Sequence, residues 1–228
     1  MQLNPATLAF LKAVKEENSR EFFATVKDLY IEIYDTLKEL CKGLIEEATI
    51  LDPSHAGLQV KDCLFRIYRD ARRLKEWDPI YKENFGMSIN PEGKKSSSPG
   101  YYLHIEADGG SFFGGGLYWP SSDQLLNLRH YIQEHGDEYI KVLDNKELKK
   151  IFGPLQWERL QRPPKWFSQD EKYLDLLKMK QHLFFWYISD KDLIECDILE
   201  LCKKEMHILS DWMLFLSVGC DYTGWKNK

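Results

Sequence analysis

The sequence lacks the features that mark membrane, secreted and metal-binding proteins. It has no run of about 18 apolar residues, which a membrane-spanning helix needs. Its first residues, MQLNPATLAFLKAVKEEN, show neither the basic start nor the small-residue cleavage site of a secretory leader. The five cysteines are scattered without CxxC or Cys/His ligand spacing, and we expect reduced thiols. These absences predict a cytoplasmic protein with no membrane partner.

Common catalytic and cofactor-binding fingerprints are also missing. The chain has no Rossmann glycine motif, P-loop, GxSxG elbow or HExxH helix, so it indicates no particular cofactor. Glycines 114–116 lie in or beside a predicted strand, not between a strand and a helix. We interpret them as a bulge or a close approach of another backbone, rather than as a phosphate cradle.

What is present is an ordinary globular composition. The 228 residues are 43% hydrophobic, and 31 Lys+Arg stand against 36 Asp+Glu for a net charge of −5. A chain of this length can bury a core without disulfides or metals. The mildly acidic balance disfavours a generally cationic coat for nucleic acid, although a local basic patch is compatible with it.

Hydrophobic periodicity predicts helices at both ends of the chain and strands between them. The first predicted helix starts at Asn4-Pro5 and carries Leu8, Leu11 and Val14. The others are 18–44, Ser121 to Gly136, 138–143, 146–152, a segment ending near Leu177, and 193–218. The predicted strands are 60–70, 101–106, 111–119 and 181–187, whereas 86–100 reads as a loop around a short strand-like MSI and 161–168 as extended chain. The short loop 107–110 predicts an antiparallel hairpin. This order predicts one α+β domain over residues 1–228, with a central antiparallel or mixed sheet packed by the N-terminal and C-terminal helices.

The densest charged feature is RIYRDARRLK, followed by DPIYK. It places six cations within the seventeen residues 66–82 of an acidic protein. Arginine forks bind phosphate or carboxylate in a bidentate manner, so the cluster predicts an anion site. The alternative is an internal ion-pair network with nearby carboxylates. Those carboxylates are Asp70, Glu76, Asp78 and Glu83.

A second feature is the strand YYLHIE. If Leu103 and Ile105 point inward, then Tyr102, His104 and Glu106 share the opposite face. A histidine between a phenol and a carboxylate suits general base catalysis or metal binding, but one His and one Glu are too few ligands for a metal site. We therefore predict no metal, and a plain hydrogen-bonded histidine is the alternative to a catalytic one.

With these motifs in hand, the chain resembles a family of bacterial and fungal proteins known as domain of unknown function 2461. The resemblance spans nearly the whole chain and is carried by FLKAVKEENSREFF, RIYRDARRLK, GYYLHIEADGGSFFGGGLYWP, LQRPPKWF and LDLLKMK. The family's arginine motif matches Arg66, Arg69, Asp70, Arg72, Pro79, Tyr81 and Lys82. This sequence departs from it at Arg73, Trp77 and the inserted Ile80. The resemblance implies no established activity.

The leading hypothesis is a cleft that binds a phosphorylated or carboxylated small molecule. In it, ligand-binding roles fall to Arg66, Arg69, Arg72, Tyr81, Lys82, Tyr102 and Glu106. Asp70 orients an arginine or moves a proton with His104, and the reaction class would be hydrolysis or group transfer. The alternative is a non-catalytic module that docks an acidic protein segment or single-stranded nucleic acid. The chain lacks recognisable nucleic-acid-binding motifs, which weighs against the latter partner.

Overall fold

The computed structural model describes residues 1–70, 72, 74–75, 77–155 and 158–227. Among these, helices flank a four-stranded antiparallel sheet, as predicted for an α+β fold. The helices are α1 Ala6–Glu16, α2 Arg20–Thr25, α3 Lys27–Leu51, α4 Val60–Cys63, α5 Ser122–Leu143, α6 Lys146–Phe152, α7 Leu174–Leu177, α8 Asp190–Glu195 and α9 Ile198–Asp221. The strands are β1 Asn84–Ile89, β2 Gly100–Glu106, β3 Phe112–Leu117 and β4 His182–Tyr187.

The sheet has the strand order β1-β2-β3-β4, and each strand is antiparallel to its neighbour. Met87 pairs with Leu103, and Leu103 pairs with Phe113 in the next strand. All three side chains are buried, because this inner face packs against the helices. The long helix α3 contacts β1, and α9 contacts β3 and α5. The N-terminal and C-terminal helices therefore cover one face of the sheet, as the sequence predicts.

Glycines 114–116 in β3 allow a close approach of the β4 backbone and of the α9 side chain Trp212. Gly116 has a φ of +132°, and a Cβ there would lie 2.1 Å from the carbonyl oxygen of His182 and 2.7 Å from the Trp212 ring. Any larger residue would combine a strained backbone with a steric clash. The interpretation of this run as a close backbone approach is confirmed.

The predicted strand at 60–70 is wrong. Gln59 and Asp62 form a reciprocal capping box, which starts the one-turn helix α4. After Cys63 the chain runs irregularly beside β1 and the segment before it. Phe65 donates its N–H to the carbonyl of Gly86 at 2.9 Å, and only single bridges such as Tyr68 with Tyr81 form among the described residues.

Several predicted boundaries also differ. The second predicted helix is divided at Val26, and the C-terminal one is interrupted before Asp197, whose side chain caps α9. Helix α5 does not end at Gly136 but continues through a kink at His135 to Leu143. The strand-like MSI at 87–89 is confirmed as part of β1, which begins earlier than predicted, at Asn84. The segment 161–168 is not simply extended, because it contains a turn in which Phe167 N–H donates to the Pro164 carbonyl.

Within the part of the chain described here, no helix has both the length and the apolar composition to cross a bilayer.

Candidate functional site

The site lies on the face of the sheet that the helices leave open. Strand alternation along β2 buries Leu103 and Ile105 and leaves Tyr102, His104 and Glu106 partly exposed on the other face. This is the arrangement that the sequence predicts. The short loop between β2 and β3 fixes the pairing register and hence which side chains share a face.

The three polar side chains of β2 form a connected series. The Nε2–H of His104 donates to Glu106 Oε2 at 2.8 Å, while His104 Nδ1 lies 3.5 Å from the Tyr102 hydroxyl. The Phe112 ring stacks on the imidazole at 4.8 Å between centroids. Burial raises the pKa of Tyr102, so its phenol stays protonated at neutral pH. Glu106 thus fixes the imidazole orientation and directs the Nδ1 lone pair toward Tyr102.

A glycine in β1 makes room for the Tyr102 hydroxyl. Gly86 is paired with His104, and a Cβ at Gly86 would lie only 2.6 Å from Tyr102 Oη. Real Cβ atoms do not approach other heavy atoms this closely, so a side chain there would displace the phenol. Gly86 therefore allows Tyr102 to lie across the neighbouring strand.

Two cations of the arginine motif border the same face. A pocket of about 310 Å³ is lined by Phe65, Arg69, Lys82, Asn84, Gly86, Tyr102 and His104. The Lys82 ammonium lies 5.0 Å from the centroid of the Phe65 ring. Burial lowers the pKa of Lys82, and the positive charges of Arg69 and Lys94 lower it further. We refer to these seven residues as the anion pocket, after the role that the sequence analysis predicts for the arginine motif.

Neither of these cations is neutralised by the protein in the part of the chain that the structure describes. Arg69 Nε makes only a long hydrogen bond of 3.5 Å to the Tyr81 carbonyl. No described carboxylate oxygen lies within 4.0 Å of the Arg69 guanidinium or the Lys82 ammonium. Among the described members of the predicted ion-pair network, Asp70, Asp78 and Glu83, none pairs with these two side chains.

Arg72 behaves differently. Its Nη2 and Nε lie 2.8 Å and 3.0 Å from the two carboxylate oxygens of Asp70, and its side chain is 87% exposed. For this arginine the ion-pair interpretation describes the structure. Arg66 is exposed and lies outside the anion pocket, as do Arg72 and Asp70. The structure thus brings Arg69 and Lys82 beside His104 and separates the other motif residues from it.

Tyr81 also lies outside the pocket. Its ring is 5% exposed and stacks on Phe23 at 4.0 Å, and its backbone N–H and carbonyl both bond to the Asn18 side chain. Tyr81 therefore anchors the motif to the N-terminal helices. Arg73 and Glu76, which the sequence analysis singled out, lie outside the described residues.

A larger cleft adjoins the anion pocket on the same face, and sequence reasoning did not identify it. Its volume is about 660 Å³, and Phe65, Tyr102 and His104 line both spaces. Further walls come from the loop 91–99, from residues after β3, and from residues around the start of β4. Period-two alternation in β3 and β4 could have placed Phe112 and Phe185 on the open face, but the sequence did not predict that these two strands pair.

Metal ligands are not concentrated anywhere in the described ranges. No group of three or more His, Cys, Asp or Glu side chains has the geometry to hold a metal ion there. The candidate chemistry at this face therefore includes Arg69 and Lys82 of the arginine motif, Lys94 at the larger cleft, a phenol and a carboxylate-oriented imidazole.

The fold and this face define a class of α+β protein whose antiparallel sheet presents a cleft bordered by cationic, phenolic and imidazole groups. The chain matches one family model over residues 6–215, described as conserved hypothetical protein (DUF2461). It belongs to that family, which confirms the resemblance seen in the sequence. No curated protein and no solved structure matched the chain.

Proposed function

We propose that this protein binds a small phosphorylated or carboxylated molecule in the anion pocket. The observation that carries the proposal is the pair Arg69 and Lys82, which converge on one pocket without a carboxylate partner among the described residues. Lys82 is partly buried, and a partly buried cation without a counterion is electrostatically unfavourable, so a bound anion would neutralise it; Arg69 is exposed and adds a second positive charge beside it. Arginine supplies a bidentate fork and lysine a compact point charge for such a ligand.

The pocket also fits the size of a small ligand. Its 310 Å³ lies at the lower end of the range for small-molecule sites, and the adjoining cleft extends it. The Tyr102 hydroxyl, protonated at neutral pH, adds a hydrogen-bond donor for an anionic oxygen.

An enzymatic role would use His104. Since Glu106 accepts the Nε2 hydrogen, Nδ1 is the remaining proton acceptor, and the Tyr102 hydroxyl 3.5 Å away has one hydrogen to give either to Nδ1 or to a ligand oxygen. Hydrolysis or group transfer at the bound anion is the reaction class that suits such a group. Asp70 is not part of this proposal, because its carboxylate is paired with Arg72.

A thermal-shift titration tests the proposal. The probes are inorganic phosphate, pyrophosphate, sugar phosphates and short dicarboxylates, with an acidic peptide and a short single-stranded oligonucleotide for comparison. Each is tested on the wild type and on Arg69→Ala, Lys82→Ala and Arg72→Ala. A ligand at about a hundredfold over its Kd adds about 2.7 kcal/mol of stability. We expect one ligand class to stabilise the wild type and Arg72→Ala, and to lose at least about tenfold in affinity in the other two variants.

Arg72→Ala is the matched control, because it removes an arginine of the same motif that is already paired with Asp70. Equal losses in all three variants would indicate a diffuse charge effect and contradict the anion pocket. If only acidic peptides or single-stranded oligonucleotides stabilise the protein, the non-catalytic interaction module replaces the small-molecule site.

A further inference from the structure

Aromatic side chains that lie outside the hydrophobic core border the larger cleft. On the sheet, Phe112 stacks on His104, and Phe185 packs edge-on against Phe112 at 4.9 Å between centroids. At the rim, Tyr118 and Trp119 are 59% and 68% exposed. All five side chains line the same space of about 660 Å³. Single exposed rings are common on protein surfaces, but several rings on one concave surface are typical of a ligand site.

The backbone after β3 brings both rim aromatics to the cleft. Consecutive residues of a strand point to opposite faces, yet Tyr118 and Trp119 both line this space. Trp119 has a φ of +48°, a left-handed conformation that bulky side chains rarely adopt. Because this φ interrupts the strand alternation, the two rings can share one side of the chain. Backbone strain of this kind is concentrated at ligand-binding and active sites, where the surrounding structure maintains it.

The polar side chains on the loop side of the larger cleft are already bonded within the protein. Ser88 Oγ donates to Asn90 Oδ1 at 2.7 Å, and Asn90 Nδ2 donates to the Ser98 carbonyl at 2.7 Å. The Lys94 ammonium donates to two backbone carbonyls at the end of α4. A ligand in this space therefore meets mainly the apolar surface of the rings.

We propose that the larger cleft holds an apolar group of the same ligand whose anion lies in the anion pocket. The ligand class is then an amphipathic organic anion, which is a phosphate or carboxylate that carries an apolar ring or chain. This inference rests on the proposed function, because the anionic group occupies the anion pocket. Phe65, Tyr102 and His104 line both spaces, so the two are adjacent and one molecule can occupy both. Packing an apolar group on the exposed rings removes apolar surface from water, which favours binding.

Isothermal titration with matched ligands tests this assignment. Methyl phosphate carries the anion alone, phenyl phosphate adds a ring, hexyl phosphate adds a chain, and phenol carries the ring alone. Acetate, benzoate and heptanoate repeat the comparison for carboxylates. We expect the wild type to bind a ligand with an apolar group at least about tenfold more tightly than methyl phosphate or acetate, whichever shares its anion. The ring and chain ligands show which apolar group the cleft prefers.

The variants locate the apolar group. Trp119→Ala should remove most of the preference while leaving the affinity for methyl phosphate or acetate unchanged, because only the apolar group contacts the rim. Trp119→Phe keeps a ring and should retain most of the preference. Arg69→Ala should weaken the binding of ligands with and without the apolar group. Trp119 is exposed, so both of its variants should keep the wild-type melting temperature.

Trp166→Ala is the matched control. Trp166 is 71% exposed and has a φ of +78°, so it resembles Trp119 in exposure and in backbone conformation, but it lines neither the anion pocket nor the larger cleft. Its replacement should leave every affinity unchanged. Equal losses of preference in Trp119→Ala and Trp166→Ala would contradict the assignment, as would a preference that survives Trp119→Ala undiminished.

The outcomes separate the two proposals. If methyl phosphate and acetate bind the wild type as tightly as their larger analogues, and Arg69→Ala weakens them, the apolar-group inference is wrong while the anion pocket stands. If phenol binds as tightly as phenyl phosphate and benzoate, the anion pocket contributes nothing and the proposed function is wrong. Failure of all these ligands to bind overturns both proposals.

Discussion

Replacing His182 with asparagine should reduce the loss in free energy of unfolding that the protein shows as the pH falls below about 6.5. His182 is fully buried at the start of β4 between α5 and α9. The Tyr139 hydroxyl accepts the Trp212 indole N–H at 3.2 Å and donates to His182 Nδ1 at 2.8 Å. His182 Nε2 has no partner in the described structure. Only a neutral imidazole can accept from Tyr139, so this network excludes the imidazolium.

The magnitude follows from the pKa of His182. Burial lowers it to about 3, and the positive charge of Arg129 acts in the same direction. In the unfolded chain the imidazole titrates near its ordinary value of about 6.5. Because the pKa of His182 is lower in the folded protein than in the unfolded chain, the unfolded chain binds a proton at acid pH and the folded protein does not. The contribution of the neutral imidazole to the free energy of unfolding is therefore complete above about pH 6.5 and is lost as the pH falls toward 3. Between pH 6.5 and 4.5 the expected loss is about 2 kcal/mol.

Urea unfolding of the wild type and His182→Asn at half-unit pH intervals measures this loss. The asparagine oxygen can replace Nδ1 as the acceptor for Tyr139, so the variant removes the titration while keeping a similar hydrogen bond. We expect the wild type to lose about 2 kcal/mol more than His182→Asn over this interval, which corresponds to about 4 to 8 °C in melting temperature. His135→Asn, at a more exposed site, should follow the wild type. Parallel profiles for the wild type and His182→Asn would refute the buried neutral imidazole.

Two further predictions concern local structure. Gly86→Ala should destabilise the protein by about 1 to 3 kcal/mol in urea unfolding, because its Cβ would meet the Tyr102 hydroxyl. Adding Tyr102→Phe should recover part of this loss, whereas simple additivity of the two changes would contradict the close contact. Ser121→Ala should cost about 1 kcal/mol in the same assay, because Ser121 Oγ accepts the Gln124 N–H in the capping box of α5, and an unchanged midpoint would show that this cap contributes nothing.

Local patterns predicted the polar face of β2 because two short-range rules agreed there. Alternation assigned Tyr102, His104 and Glu106 to one face, and the loop at 107–110 fixed the antiparallel partner. The cap at Ser121 and the strand near 181–187 were predicted on similarly local grounds. These features depend on residues that are close in sequence.

The arginine motif could not be resolved by the same means. The run 60–70 is rich in strand-forming residues, yet the capping box of Gln59 and Asp62 turns its first part into a helix. The rest of the run, after Cys63, is irregular and does not follow the period-two alternation of a strand. The orientation of each arginine could therefore not be predicted from strand geometry. Arg72 forms an ion pair with Asp70, two residues away, whereas Arg69 lines a pocket that residues of β1 and β2 help to form.

The shape of the open sheet face has a sequence origin that becomes clear only with the strand register. Tyr102 is flanked on the open face by Ser88 in β1 and Gly114 in β3, and His104 is flanked by Gly86. A small residue beside a large one leaves room for the large side chain to lie across the neighbouring strand. Each of these small residues is ordinary in isolation. Their alignment in the strands on either side of β2 lets the Tyr102 hydroxyl lie over Gly86 and the Phe185 ring lie over Gly114, so the open face is shaped by pairs of residues that are far apart in the sequence.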